Sequence, residues 1–182
     1  MALIDIAAIF SPFTANGGTP DSLAISTATA SSKTYDVTGA GLGNAPPQVW
    51  GTGTSFTSDM GVGDGPWTPF AKIVIGTSLA GGTSMNFSLQ SAPDNGSNGA
   101  GSWTTVDETG AIAVANLAAN TTINLHFARR QPGASVPRFY RILYTPVGTF
   151  NAGTVSAGIV VNDDNATDIG QVQSNISFGT AG

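Results

Sequence analysis

The 182-residue chain has no cysteine. This excludes a disulfide framework, a thiolate metal site and a cysteine nucleophile, and it leaves the redox compartment unreadable. Its one histidine, His126, excludes a multi-histidine metal centre within a single chain. Charge is scarce as well. Asp, Glu, Lys and Arg make up 9% of the sequence, against about 25% in an ordinary soluble domain. Six cations and eleven acids give a net charge of −5, the opposite of the basic footprint that nucleic acid requires. No apolar run reaches the roughly 18 residues of a membrane helix. The opening MALIDIAAIF carries Asp5 and no cation, so a secretory signal is not expected. Nucleic acid, membranes and cofactors are therefore not among the expected partners.

What is present is glycine (24 residues) and as many alanines, followed by threonine and serine. Strong helix formers are few, and Glu108 is the single glutamate, which argues against a helical protein. Apolar residues reach 41%, and much of that content alternates with polar residues, so a packed core is expected rather than disorder. The length fits one domain, 1–182. A surface of about 8,000 Å² carries few ions here, whereas soluble monomers keep theirs ionic. Much of the exterior is therefore expected to be covered by partners, the plainer alternative being a coat of Ser, Thr and Asn.

Along the chain, residues 1–21 read as an N-terminal arm broken by Pro12, Gly17, Gly18 and Pro20. A strand is expected around Tyr35 and Val37. Residues 39–69 hold glycines, four prolines, Trp50 and Trp67 without periodicity, a long loop of the kind that is usually functional. A ladder of strands follows. Phe70–Ile75 is an apolar run; in 84–90, Met85, Phe87 and Leu89 alternate with Ser84, Asn86, Ser88 and Gln90. Further strands are expected from Trp103 to Val106, over 121–127 with Ile123, Leu125 and Phe127 on one face, over Phe139–Thr145, and at Val155, Ala157, Ile159 and Val161. Residues 111–117 fit a strand or a brief turn, and 162–182 a polar C-terminal tail with a last pairing around Val172–Phe178. Short alternating strands between Gly/Pro turns give an all-β fold, an antiparallel β-sandwich or jelly roll.

Catalytic constellations are hard to assemble. His126 falls on the polar face of its strand, without an evident nucleophile. Asp107 and Glu108 precede Thr109–Gly110, which looks like a hairpin turn and not a glycosidase pair. Asp163, Asp164, Asn165 and Asp168 lack the glycine and terminal glutamate of a calcium loop, and Asp59 and Asp64 give no stronger signal. GAGLGN (39–44) is followed by prolines rather than a helix, so it is no phosphate cradle. The expectation is a protein that is not an enzyme.

Cation placement is more informative. Arg129, Arg130, Arg138 and Arg141 lie within thirteen positions, whereas residues 1–128 carry two cations and eight anions. Arginine forks suit carboxylates at protein interfaces, although Arg141 could equally pair inside its own sheet.

The segment RFYRILYTPVGTFNAGTVSAGIVV (138–161) resembles the jelly-roll capsid cement, or decoration, proteins of tailed bacteriophages. Arg138, Phe139, Arg141, Ile142, Tyr144 and Thr145 match that family's aromatic/Arg strand, and Gly153 to Val161 its following strand. FSLQSAPDNGSNGAGSWTTV (87–106) and AIAVANLAANTTINLHF (111–127) are similar to its strand–loop–strand and middle strands, so the likeness covers about 70–161. Loop 39–69 and the tail after 161 are longer than that pattern.

The resemblance implies a structural virion protein, assembled in the host cytoplasm. It would bind the outside of the capsid and cement neighbouring major capsid subunits, as a homodimer or homotrimer. Expected interface residues are Ile4, Phe10 and Phe13 in an arm that orders on the shell, Trp50 and Trp67 in the long loop, and Arg129, Arg130, Arg138 and Arg141. Removing residues 1–14 is accordingly expected to leave a folded domain. The rival expectation is a carbohydrate-binding β-sandwich that stacks sugar on Trp50, Trp67 or Trp103.

Overall fold

A computed structural model describes residues 9–14, 18–36, 70–127 and 137–160. Its strands, in chain order, are β1 (Ile9–Ser11), β2 (Asp21–Ser22), β3 (Thr29–Ala30), β4 (Tyr35–Asp36), β5 (Phe70–Ala80), β6 (Ser84–Ala92), β7 (Thr104–Glu108), β8 (Ile112–Ala113), β9 (Thr122–His126), β10 (Phe139–Val147) and β11 (Ala152–Val160). All pairings are antiparallel and form two sheets. One runs β1-β11-β5-β9 with β2 also on β11. The other runs β3-β10-β6-β7 with β4 on β10 and β8 on β6. The fold is an antiparallel β-sandwich.

Alternation decides which face of each strand is buried. Met85, Phe87 and Leu89 of β6 are fully buried, as are Ile142 and Tyr144 of β10, and they meet Ile73 and Ile75 of β5 and Val155 and Ala157 of β11 in one core. Phe87 and Tyr144, opposite each other in the ladder, meet edge to face at 5.9 Å between centroids, a favoured aromatic geometry. The long strands nest: β5 pairs with β11 in one sheet and β6 with β10 in the other. The β5–β6 and β10–β11 crossings between sheets therefore lie together, at Gly81–Thr83 and Gly148–Asn151. Thr83 N–H donates to the Val147 carbonyl and Asn151 N–H to that of Ala80. Phe150 fills the space between them, and its ring would lie 2.0 Å from any Cβ at position 82, so only glycine fits.

Three expectations change. The first is the arm. Ile9–Ser11 is a strand on β11, and Phe10 is 0% exposed within the core. An apolar side chain is more stable there than waiting in water for a partner. Residues 18–36 then run along the edges of both sheets, tied by bonds such as Leu23 N–H to Gly153 O and Ser31 N–H to Ile142 O. The expectation of an arm that orders only on a partner is therefore corrected for Ile9–Ser11, which is part of the sandwich.

The second is the turn at Thr109–Gly110. Strands β7 and β8 both lie along β6, so the chain kinks and continues instead of reversing. Gly110, with φ at +68°, supplies the corner because it carries no Cβ penalty in that region. The third concerns exposure: Ser88 and Gln90, expected to face water, are only 4% and 9% exposed, because long side chains from adjacent strands lie over them. Segments 39–69 and 162–182 are outside the described residues, as is the pairing expected at 172–178.

Candidate functional site

The outer face of the β10–β6–β7 sheet combines a flat, mostly uncharged surface with two ionised side chains. Strand register sets the rows. Arg141 stands opposite Gln90, Leu143 opposite Ser88, Thr145 opposite Asn86, and Val147 opposite Ser84. Ser88 in turn faces Glu108. Val147, 53% exposed, is the one large apolar side chain in the open among the described residues.

Two arginines of β10 and its approach behave differently. The Arg138 guanidinium grips Asp36, with Nε and Nη2 each 3.0 Å from one carboxylate oxygen. Its Nη1 bonds Asp94 and, at 3.0 Å, the Asn98 side-chain oxygen. The side chains of Arg138 and Asp36 are 11% and 1% exposed. The Asp36 hydrogen bond, more than any other contact, holds the Arg138 pKa above its ordinary value; burial opposes it, and Asp94 adds to the rise. Charge-assisted, bidentate geometry of this kind fixes position as well as energy. Arg138 thereby staples β4 to the loop between β6 and β7, where Asp94 Oδ1 accepts the Gly96 N–H and Asn95 Oδ1 those of Ser97 and Gly99.

Among the described residues Arg141 meets no carboxylate. Its Nε donates to Gln90 Oε1 at 2.9 Å, and its Cζ sits 4.2 Å from the centroid of Trp103. Partial burial lowers its pKa, since nothing of opposite charge offsets the lost hydration. The same stacking occupies one ring face of Trp103, which is thereby closed to a sugar. Glu108, the neighbouring acid, is turned onto its own sheet: its Oε2 accepts from Asn86 Nδ2 at 2.9 Å and from Ser88 Oγ at 3.5 Å.

Other expected site residues separate clearly. Phe10 lies in the core and is not presented at the surface, a correction to its expected role as a surface anchor. Phe13 is half-buried. Ile4, Trp50, Trp67, Arg129 and Arg130 lie outside the described residues, as do Asp59, Asp64, Asp163, Asp164, Asn165 and Asp168. His126, with its side chain 73% exposed, has Nδ1 3.6 Å from Asp107 Oδ2. That carboxylate also accepts the His126 backbone N–H at 2.7 Å, so Asp107 ties the β7 edge of one sheet to the β9 edge of the other. Among the described residues no three His, Cys, Asp or Glu side chains gather as metal ligands, and no helix is long and apolar enough to cross a membrane.

Sequence reading missed the Ser11–Asp21–Tyr144 cluster, in which Ser11 Oγ lies 2.5 Å from Asp21 Oδ2 and 2.6 Å from Tyr144 Oη. Three isolated polar residues 133 positions apart at the extremes leave no periodic signal.

The chain matches no curated protein. A family model described as Bbp16 matches residues 21–159, which takes in every strand from β2 to β10 and nearly all of β11. By that match the chain belongs to the Bbp16 family, a name that points to phage-related proteins.

Proposed function

We propose that this protein is a non-enzymatic component of a phage virion, bound to the outer surface of the capsid, where it cements neighbouring major capsid subunits. Membership of a phage-related family over residues 21–159 carries the reading, together with the cement-protein likeness of 138–161. The chemistry of the surface is compatible with it. A flat sheet face of Ser, Thr and Asn, with few ions to desolvate, can be covered at little electrostatic cost. A protein that binds only assembled shell stabilises that shell by mass action, because dissociation of the lattice must also release the bound copies.

The test is to image purified heads assembled with and without this protein and to follow their thermal opening. External density that vanishes with the protein, with opening at lower temperature, supports the assignment. Heads of identical appearance and stability would overturn it. A glycan array separates the carbohydrate-binding rival, which requires specific hits.

A further inference from the structure

Arg138 and Arg141 divide into one that is consumed and one that is available. Arg138 spends its donors on Asp36, Asp94 and Asn98. Among the described residues Arg141 uses only Nε, on Gln90, and its Nη groups meet no carboxylate. Its plane is already fixed, by Trp103 beneath it and Gln90 beside it. A half-buried guanidinium held flat, with its fork unpaired, has much of its rotamer entropy removed before any partner arrives. Its lowered pKa marks a charge that a partner carboxylate would stabilise.

Glu108, which faces Ser88 in the same sheet, does not fill the role, because Asn86 and Ser88 hold its carboxylate on its own sheet. That also disfavours a second copy as the donor. Two copies, each of net charge −5, repel, and Glu108 would have to release both hydrogen bonds to cross the interface. We propose that Arg141, stacked on Trp103 and steadied by Gln90, is a preformed receptor for an aspartate or glutamate side chain of the shell protein. The identity of that partner rests on the capsid reading above. Leu143, Thr145 and Val147 continue the strand beyond the receptor as its uncharged docking floor.

Heads lacking this protein, titrated with wild type, Arg141→Gln and Arg141→Lys, test the proposal. Arg141→Gln should weaken binding on the order of tenfold to a hundredfold. Arg141→Lys should restore part of the loss, since it keeps the charge without the planar fork. Wild-type binding should weaken modestly from 0.05 to 0.5 M salt, and Arg141→Gln should flatten that dependence. Unchanged melting of both variants shows that the loss is not unfolding; if Arg141→Gln does not fold, Arg141→Lys alone must show weaker binding. Equal binding by the folded variants and wild type at every salt would overturn the receptor while leaving the capsid reading intact. Failure of wild type itself to bind heads would overturn that reading, and with it the shell as partner. A variant that changes sedimentation of the free protein but not head binding would assign the carboxylate to a second copy and overturn the shell assignment.

Discussion

Tyr144 Oη lies 2.6 Å from Ser11 Oγ, which in turn is 2.5 Å from Asp21 Oδ2. Ser11 Oγ donates its one proton to Asp21 Oδ2, so Tyr144 donates to Ser11. Asp21 Oδ2 also accepts the Ser32 N–H at 2.9 Å. One relay, buried at its Ser11–Tyr144 end, thus joins β1, β2 and the segment after β3 to β10, across both sheets.

The relay makes stability fall in alkali. Burial, with a smaller contribution from Asp21, pushes the Tyr144 pKa far above its ordinary value of 10.0. Below about pH 10 both folded and unfolded chains keep the phenol proton. Above it the unfolded chain releases a proton that the folded chain retains, so unfolding is favoured by up to about 1.4 kcal/mol per pH unit. Urea titrations from pH 8 to 11 should show this slope in wild type and a shallower one in Tyr144→Phe. At neutral pH the same variant should lose only about 1 kcal/mol, one hydrogen bond's worth. Parallel slopes would mean that Tyr144 ionises freely in the folded protein.

Phe10 makes the N-terminal segment part of the fold. Phe10→Ala should cost about 3–5 kcal/mol through the lost burial and the cavity left behind. Removal of residues 1–14 should cost at least as much, because it also strips β1 from β11 and removes the Ser11 hydroxyl from the relay. Differential scanning calorimetry measures both. A truncated chain that melts where wild type does would show that this segment merely rests on the sandwich.

Much of the sandwich was legible in the sequence because alternation is a local property. Met85, Phe87 and Leu89 announce an inward face from seven residues of text, and so do Ile123, Leu125 and Phe127. The N-terminal segment was not legible. Strands of two or three residues, such as β2 and β3, have no period to detect, and they exist only because β10 and β11 offer edges to pair with. Prolines and glycines around Phe10 read as an arm for the same reason: pairing with a strand nearly 150 residues away is invisible locally. At the site, four clustered arginines could be counted but not told apart. What separates Arg138 from Arg141 is Asp36, which lies 102 positions from Arg138.

Gly82 should tolerate no side chain. A methyl group there would meet the Phe150 ring at 2.0 Å, and Phe150, 2% exposed, is enclosed by the core. Gly82→Ala should destabilise by about 1–3 kcal/mol as an overpacked site. Gly82→Ala with Phe150→Leu should be less unstable than the two single changes add up to, since a smaller side chain makes room. Strict additivity in denaturant titrations would mean that the two positions do not touch.

Arg138 supplies the sharpest separation between holding the fold and binding a partner. Arg138→Gln takes two charge-assisted hydrogen bonds from the Asp36 carboxylate, whose side chain is 1% exposed, an expected loss of about 3–5 kcal/mol. Asp36→Asn in the same chain removes the buried charge, so the double variant should recover most of that stability. Amide exchange should quicken between Asp94 and Ala100 in both, because that loop loses its tie to Arg138, and should stay slow there in Arg141→Gln. The double variant, once folded, should bind heads as wild type does if Arg138 acts only within the chain. Weak binding by a stable double variant would make Arg138, or the loop it pins, a direct contact with the shell.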